Sequence, residues 1–190
     1  MQHIALQIWG GLFYLLNKIF FSFMERTHVE KTKRRWRIAS WAVYLVGLPP
    51  WVWIFCLERN WIAAALEAGG APAMLLGLVI ALRGRENKPI WLRWLDYAAL
   101  VAVVGGLGYS LHDFGGITTL NQVSELGIVA GFLVGTYLLA KRRSTGYLWF
   151  LLMNGSNSWL MFIEHYPWLV VQQVASFLFI ADAFLMERRK

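Results

Sequence analysis

Residues 118–163 read TTLNQVSELGIVAGFLVGTYLLA-KRRST-GYLWFLLMNGSNSWLMFI. A mostly apolar run, 118–140, is followed by a short basic turn and a second apolar run, 146–163. A helix needs roughly 20 consecutive apolar residues to cross the hydrocarbon core of a bilayer. The two runs therefore predict two antiparallel transmembrane helices joined by a basic loop. A membrane β-barrel would instead show alternating segments of about ten residues, and the sequence contains none.

The same character extends outward in both directions. Further runs occupy 4–24, 38–57, 61–82, 95–111 and 168–186, giving seven predicted spans. The composition agrees: 58% of the 190 residues are hydrophobic and 15% are charged, against about 25% charged in soluble domains. Cys56 is the single cysteine, which excludes an internal disulfide and a multi-cysteine metal site. The net charge of +7 is confined to short clusters between apolar runs, which points to membrane loops and away from nucleic acid.

Lys and Arg accumulate on the cytoplasmic side of membrane proteins. Arg26, Lys31, Lys33, Arg34, Arg35 and Arg37 occupy the first loop, and Arg83, Arg85, Lys88 and Arg93 the third. Lys141, Arg142 and Arg143 occupy the fifth, and Arg188, Arg189 and Lys190 the tail. All of these fall on one side of a seven-span chain, against Arg59 alone on the other. The N-terminus is then outside and the C-terminus in the cytoplasm. Lys18 lies in the inner part of the first span, from where it can snorkel to the cytoplasmic face. The first run lacks a positive segment ahead of it, so it reads as a retained helix and not as a signal peptide.

An internal repeat is visible. Lys33-Arg34-Arg35 leads to Trp41, Trp53, Glu58 and Trp61, and Lys141-Arg142-Arg143 leads to Trp149, Trp159, Glu164 and Trp168. The offsets lie between 106 and 108 throughout. The predicted fold is an all-α integral membrane protein built as a 3+1+3 parallel repeat, SWEET-like. Residues 1–94 form a three-helix unit with basic cytoplasmic loops, 95–117 a linker helix, and 118–190 a second three-helix unit. Ala102, Gly105, Gly106 and Gly108 on the linker suit close helix packing. Two units about an axis along the membrane normal are one known transporter plan, with substrate bound between them.

Polar residues at membrane depth are costly and tend to be functional. Depth counted at 1.5 Å per residue places Glu67, Glu125, Gln172, Gln173 and Ser176 in the outer half, with Asn154 and Asn157 near the middle. Pro49-Pro50 is expected to break the second span near its middle, either as a hinge or only as a kink that neighbouring helices tolerate. Trp149 and Trp159, with Tyr137, flank this layer. Amides, a carboxylate and indole rings suit a polar solute carrying a ring. The candidate substrate-binding residues are Glu125, Trp149, Asn154, Asn157, Trp159, Gln172 and Gln173. The same amides could equally serve as hydrogen-bonding glue between helices. Asp182, near the inner end of the last span, is expected to pair with a cytoplasmic cation. No metalloprotease, phosphate-loop or Ser–His–Asp pattern is present, so neither catalysis nor a cofactor or metal is expected.

The stretch 118–190 resembles the nicotinamide riboside transporters of the Pnu vitamin-transporter family. The similarity lies in Thr118-Thr119-Leu120-Asn121-Gln122 opening a helix, the short basic loop, and the aromatic run from Tyr147 through Trp149 and Phe150 to Asn154. A final helix with polar residues in its outer half completes it. The resemblance implies an inner-membrane carrier that moves a vitamin-like nucleoside by facilitated diffusion. Its partners would be a small-molecule substrate and the lipid bilayer, with homo-oligomer formation left open. The alternative is a membrane scaffold or accessory subunit with no transport pathway.

This topology makes a direct prediction. A periplasmic-type reporter fused at Gly115 is active and a cytoplasmic-type reporter there is silent, and the pattern reverses for fusions at Arg143. A cytoplasmic signal at Gly115 breaks the seven-span scheme.

Overall fold

The computed structural model describes residues 4–59, 61–83, 90–113, 120–163, 165 and 167–189. These residues form α1 (Ile4–Arg26), α2 (Glu30–Leu57), α3 (Trp61–Gly69), α4 (Ala71–Arg83), α5 (Ile90–Asp113), α6 (Leu120–Ala140), α7 (Thr145–Ile163) and α8 (Pro167–Arg188). Arg85, Lys88, Gly115, Thr118, Glu164 and Lys190 lie outside the described residues. The fold is all-α and of membrane type. Five stretches are long and apolar enough to cross a bilayer: α1, α2, Ala63–Arg83 running through α3 and α4, α6, and α8. Helices α5 and α7 are formed where spans four and six were expected, but do not belong to that set.

The second and third spans depart from expectation in complementary ways. Helix α2 runs unbroken through Pro49-Pro50 to Leu57 and begins at Glu30, taking in the basic stretch ahead of the apolar run. Proline removes two backbone donors there without ending the helix, as membrane helices tolerate when neighbours pack closely. The break falls instead at Gly70, between α3 and α4. Gly70 donates to the Glu67 carbonyl at 3.1 Å, and its own carbonyl accepts from Met74 at 3.0 Å. The tight turn is followed by Pro72, near the start of α4, where a missing donor costs nothing. Space also demands glycine, because a Cβ at Gly70 would enter the ring of Phe132.

Helix contacts define a closed ring. Helix α1 packs on α2 and α8, α2 on α3 and α4, α4 on α6, α6 on α7, and α7 on α8. Helix α5 stays outside it, touching α3, α4 and α6. Its small residues are only partly used. Gly106 is filled against Leu133 and Leu66, whereas Gly105 and Gly108 face open space.

The ring is plugged by aromatic side chains. Phe21 meets Trp41, Tyr147 and Phe150 edge-on at 5.5, 6.0 and 6.4 Å. Tyr44 stacks on Trp41 at 6.2 Å and meets Phe132 and Phe150 edge-on. Such offset and edge-on pairs follow from the quadrupole of the rings. Trp41 can approach so closely because it lies against Gly77 of α4.

Beyond the plug lies the basic end of the ring, where polar bonds tie the helices together. Arg26 of α1 pairs with Asp182 of α8 at 2.6 Å, the partner expected for that carboxylate. Lys33 of α2 pairs with Glu25 at 3.3 Å, and Tyr147 of α7 donates to Glu25 at 2.9 Å. Arg34 donates to the carbonyls of Ala81 and Leu82, capping the end of α4. The turn after α6 is a Schellman-type closure. Arg143 N–H bonds to Leu138 and Arg142 N–H to Leu139, both at 2.9 Å, with Arg142 at φ 57°. A residue with a Cβ is disfavoured there. The Arg142 guanidinium offsets this by donating to the Ile80 carbonyl of α4 at 3.3 Å.

The packing yields a contrast between glycines. Gly77→Ala is expected to cost about 1–3 kcal/mol, because the added methyl displaces the Trp41 ring in a filled core. Gly108→Ala leaves stability unchanged or slightly raised. Thermal unfolding of the two purified variants checks both, and equal melting temperatures contradict the packing described.

Candidate functional site

One cavity of about 340 Å³ opens within the ring, above the aromatic plug. Every helix of the ring except α4 contributes to its wall. Of the candidates read from sequence, Asn154 and Asn157 of α7 and Gln172 and Gln173 of α8 line it. Glu125, Trp149 and Trp159 do not. Trp159 is 46% exposed on the outer surface beside Phe162. The backbone of Trp149 and its Cβ face Gly131 and Gly135, within the α6–α7 contact. Tyr137 lies at the basic end, bonded to Asp96.

The four amides differ in what they already hold. Asn154 is buried, and its Nδ2 donates to the Phe150 carbonyl one turn back at 2.6 Å. Gln172 Nε2 donates to the Gly11 carbonyl of α1 at 3.1 Å. That bond joins α8 to α1, and Gly11 is required there because a Cβ would meet the Gln172 amide. Asn157 and Gln173 line the cavity with no protein hydrogen bond among the described residues. Their full complement of donors and acceptors faces the space.

The charged side of the cavity comes from α1 and α3, with aromatic rings of α2 beside it. Lys18 was expected to reach for the cytoplasmic face, and it does not. It points inward, is 2% exposed and lines the cavity floor. The reason is geometric. Lys18 shares a helical face with Gly11 and Tyr14, at i−7 and i−4, and that face meets α2 and α8. Its ammonium sits 4.4 Å from the centre of the Tyr44 ring and 4.2 Å from that of Phe150, with Tyr14 at 5.8 Å. It donates to Asn17 Oδ1 at 3.1 Å. Asn17 is itself fixed by donating to the Ser40 carbonyl at 2.9 Å.

Glu67 completes the group. It lies in the last turn of α3, next to the Gly70 break, and its carboxylate accepts from the Tyr14 hydroxyl. Tyr14 meets Tyr44 edge-on at 4.9 Å. Trp51 and Phe55 of α2, stacked at 6.3 Å, line the adjoining wall. Cation and carboxylate thus face one cavity, with aromatic rings between and around them. Buried charges of opposite sign stabilise each other in a medium of low dielectric. Half-buried Glu67 is the charge the cavity presents, while Lys18 lies beneath it, enclosed by rings.

Depth alone singled out Glu67 in the sequence, but nothing placed it opposite the amides. Tyr14, Lys18 and Trp51 were missed. The signal was the spacing of Gly11, Tyr14 and Lys18 on one face of an otherwise apolar run. Among the described residues no group of three His, Cys, Asp or Glu side chains could hold a metal ion. No protein family model, curated protein or solved structure matches this chain.

The Tyr14–Glu67 bond can be tested by a double-mutant cycle. Tyr14→Phe leaves a half-buried carboxylate one donor short and is expected to cost about 1.5–3 kcal/mol. In a Glu67→Gln background the same change costs clearly less, because the two side chains share one bond. Unfolding free energies that simply add show that the two do not interact.

Proposed function

We propose that the chain is a carrier for a small polar solute bearing a ring, held in the central cavity and passed across the cell (inner) membrane. The observation that carries this reading is the cavity itself. It is lined by a carboxylate, uncommitted amides and aromatic rings at the depth where a bilayer would have its hydrocarbon core. A scaffold gains nothing from leaving amides without protein partners in a largely apolar cavity at that depth, since buried polar groups without partners are destabilising. The reading assigns no catalysis.

The proposed architecture is seven spans in two units, α1 to α4 and α6 to α8, with α5 as the linker that lets both units sit the same way up. The pattern of helix contacts supports it. Exchanging α1 with α6, α2 with α7, and α3–α4 with α8 reproduces the ring's neighbours: α1 on α2 answers to α6 on α7, and α1 on α8 answers to α4 on α6. Two of the three repeat-related tryptophan pairs match in exposure, Trp53 and Trp159 at 61% and 46% and Trp61 and Trp168 at 64% and 84%, while Trp41 is buried and Trp149 is half-buried. The exposed rings suit an interfacial belt. The basic end is then cytoplasmic, and its ion pairs and aromatic plug close the pathway on that side.

A vitamin-like nucleoside such as nicotinamide riboside fits this site in kind. Asn157 and Gln173 can donate to and accept from ribose hydroxyls or a carboxamide. The cationic pyridinium ring is complemented by Glu67 with Tyr14 and Trp51. Transport by facilitated diffusion requires only that the cavity open alternately to either side.

Asn157 and Gln172 separate binding from packing. Asn157→Leu removes amide groups that no protein partner uses, so solute binding falls about 5- to 150-fold with a stable fold, from the worth of one to two hydrogen bonds. Gln172→Leu removes the α8–α1 bond and lowers the melting temperature as well. Titration of purified variants with a panel of nucleosides, vitamins and sugars, alongside their thermal unfolding, reads both effects. Unchanged affinity in Asn157→Leu together with a lower melting temperature would falsify the cavity as a binding site.

A further inference from the structure

A second cavity, of about 670 Å³, lies outside the ring at its basic end, where α5 leans on α4 and α6. Its lining is divided by polarity. Leu76, Ile80, Leu92 and Leu100 form an apolar inner part, and Arg93, Lys141 and Arg143 form a cationic rim. Among the described residues three cations face a single carboxylate there. Asp96 is held by Lys141 at 2.8 Å and by the Tyr137 hydroxyl at 2.9 Å, and Lys141 also donates to Tyr137 at 2.8 Å. Partial burial works against the Lys141 ammonium, but these bonds outweigh it and hold its pKa above the ordinary lysine value. Arg93 and Arg143 are exposed and pair with no carboxylate among the described residues.

The surroundings fix the depth. Trp91 and Trp94 are 46% and 73% exposed beside the rim, and the Arg83 guanidinium lies 5.6 Å from the centre of the Trp91 ring. Exposed indoles and arginines at one level mark the headgroup region of a bilayer. The site therefore has a cationic end at headgroup level and an apolar end directed into the hydrocarbon.

We propose that this cavity is a binding site for one anionic phospholipid, with the phosphate bridging Arg93 and Arg143 and an acyl chain filling the gap between α5 and the ring. The division of the lining selects an amphiphile over a free anion, and the excess positive charge selects an acidic headgroup over a zwitterionic one. Helix α5 packs on one side of the ring only, so a lipid seated here would also brace it. The inference does not depend on what the central cavity carries.

Native mass spectrometry of the full chain, titrated with phosphatidylglycerol or phosphatidylcholine of the same acyl length, tests it. One phosphatidylglycerol is expected to stay bound per chain under conditions that strip phosphatidylcholine. Arg93→Gln with Arg143→Gln weakens its retention about 30-fold, from two basic side chains at the membrane surface. Arg93→Lys with Arg143→Lys keeps most of it, and Arg188→Gln with Arg189→Gln at the chain's end changes nothing. Equal binding of both lipids, or full retention by the double glutamine variant, overturns the proposal. So does displacement of the lipid by inorganic phosphate at matching concentration, which would make the rim a site for a soluble anion.

Discussion

A lysine ammonium buried in an apolar ring of helices must be compensated on every side. Lys18 is almost wholly enclosed at the floor of the cavity, and taking its charge out of bulk water is costly unless polar or aromatic groups face it. The faces of Tyr44 and Phe150 and the Asn17 side-chain carbonyl lie against it, and the Glu67 carboxylate lines the same cavity. Each then imposes a demand of its own. Asn17 needs the Ser40 carbonyl, which sets α1 against α2. Glu67 needs Tyr14, which draws α3 toward α1. The aromatic plug, the break at Gly70 and the cavity all lie within reach of this one charge.

The break at Gly70 illustrates how the demand is met. A straight helix through residues 61–83 would carry Glu67 on a continuous rod, and its neighbours would be set by the rest of the helix. Interrupting it frees the short α3 to orient the carboxylate into the ring, while α4 packs separately on α2 and α6. Discontinuous helices recur at membrane binding sites for this reason: irregular backbone is tolerated only where it is buried in protein or lines a cavity.

The ring has two unlike ends. At the basic end, bonds such as Arg26–Asp182, Tyr147–Glu25 and Arg142 to the Ile80 carbonyl run between helices that are distant in sequence. Above the plug, the tie across α1 and α8 among the described residues is the amide bond from Gln172 to Gly11. A structure joined firmly at one end and sparsely at the middle can rock about its firm end. The proposed carrier function requires the converse state too, in which the basic-end bonds open. All of them are polar contacts that water can replace at modest cost.

The membrane class, the positions of most helices, and the gathering of the basic residues at one end were legible in the sequence, but not the early start of α2 at Glu30 or the break at Gly70. The legible features depend on local quantities: run length, hydropathy and charge count, each fixed by neighbouring residues. Asn154, Asn157, Gln172 and Gln173 were legible too, because a polar side chain in an apolar run stands out wherever the run folds. Tertiary structure alone decided which of them still has bonding capacity to spare. Asn154 turns back to its own helix and Gln172 reaches α1, while Asn157 and Gln173 do neither. It also decided that Lys18 turns inward, that α2 survives Pro49-Pro50, and that Trp149 and Trp159 do not line the cavity. A helix's sequence gives the spacing of its side chains but not the rotation of that helix against its neighbours. That rotation is set by packing around the whole ring, and it determines which face becomes the site.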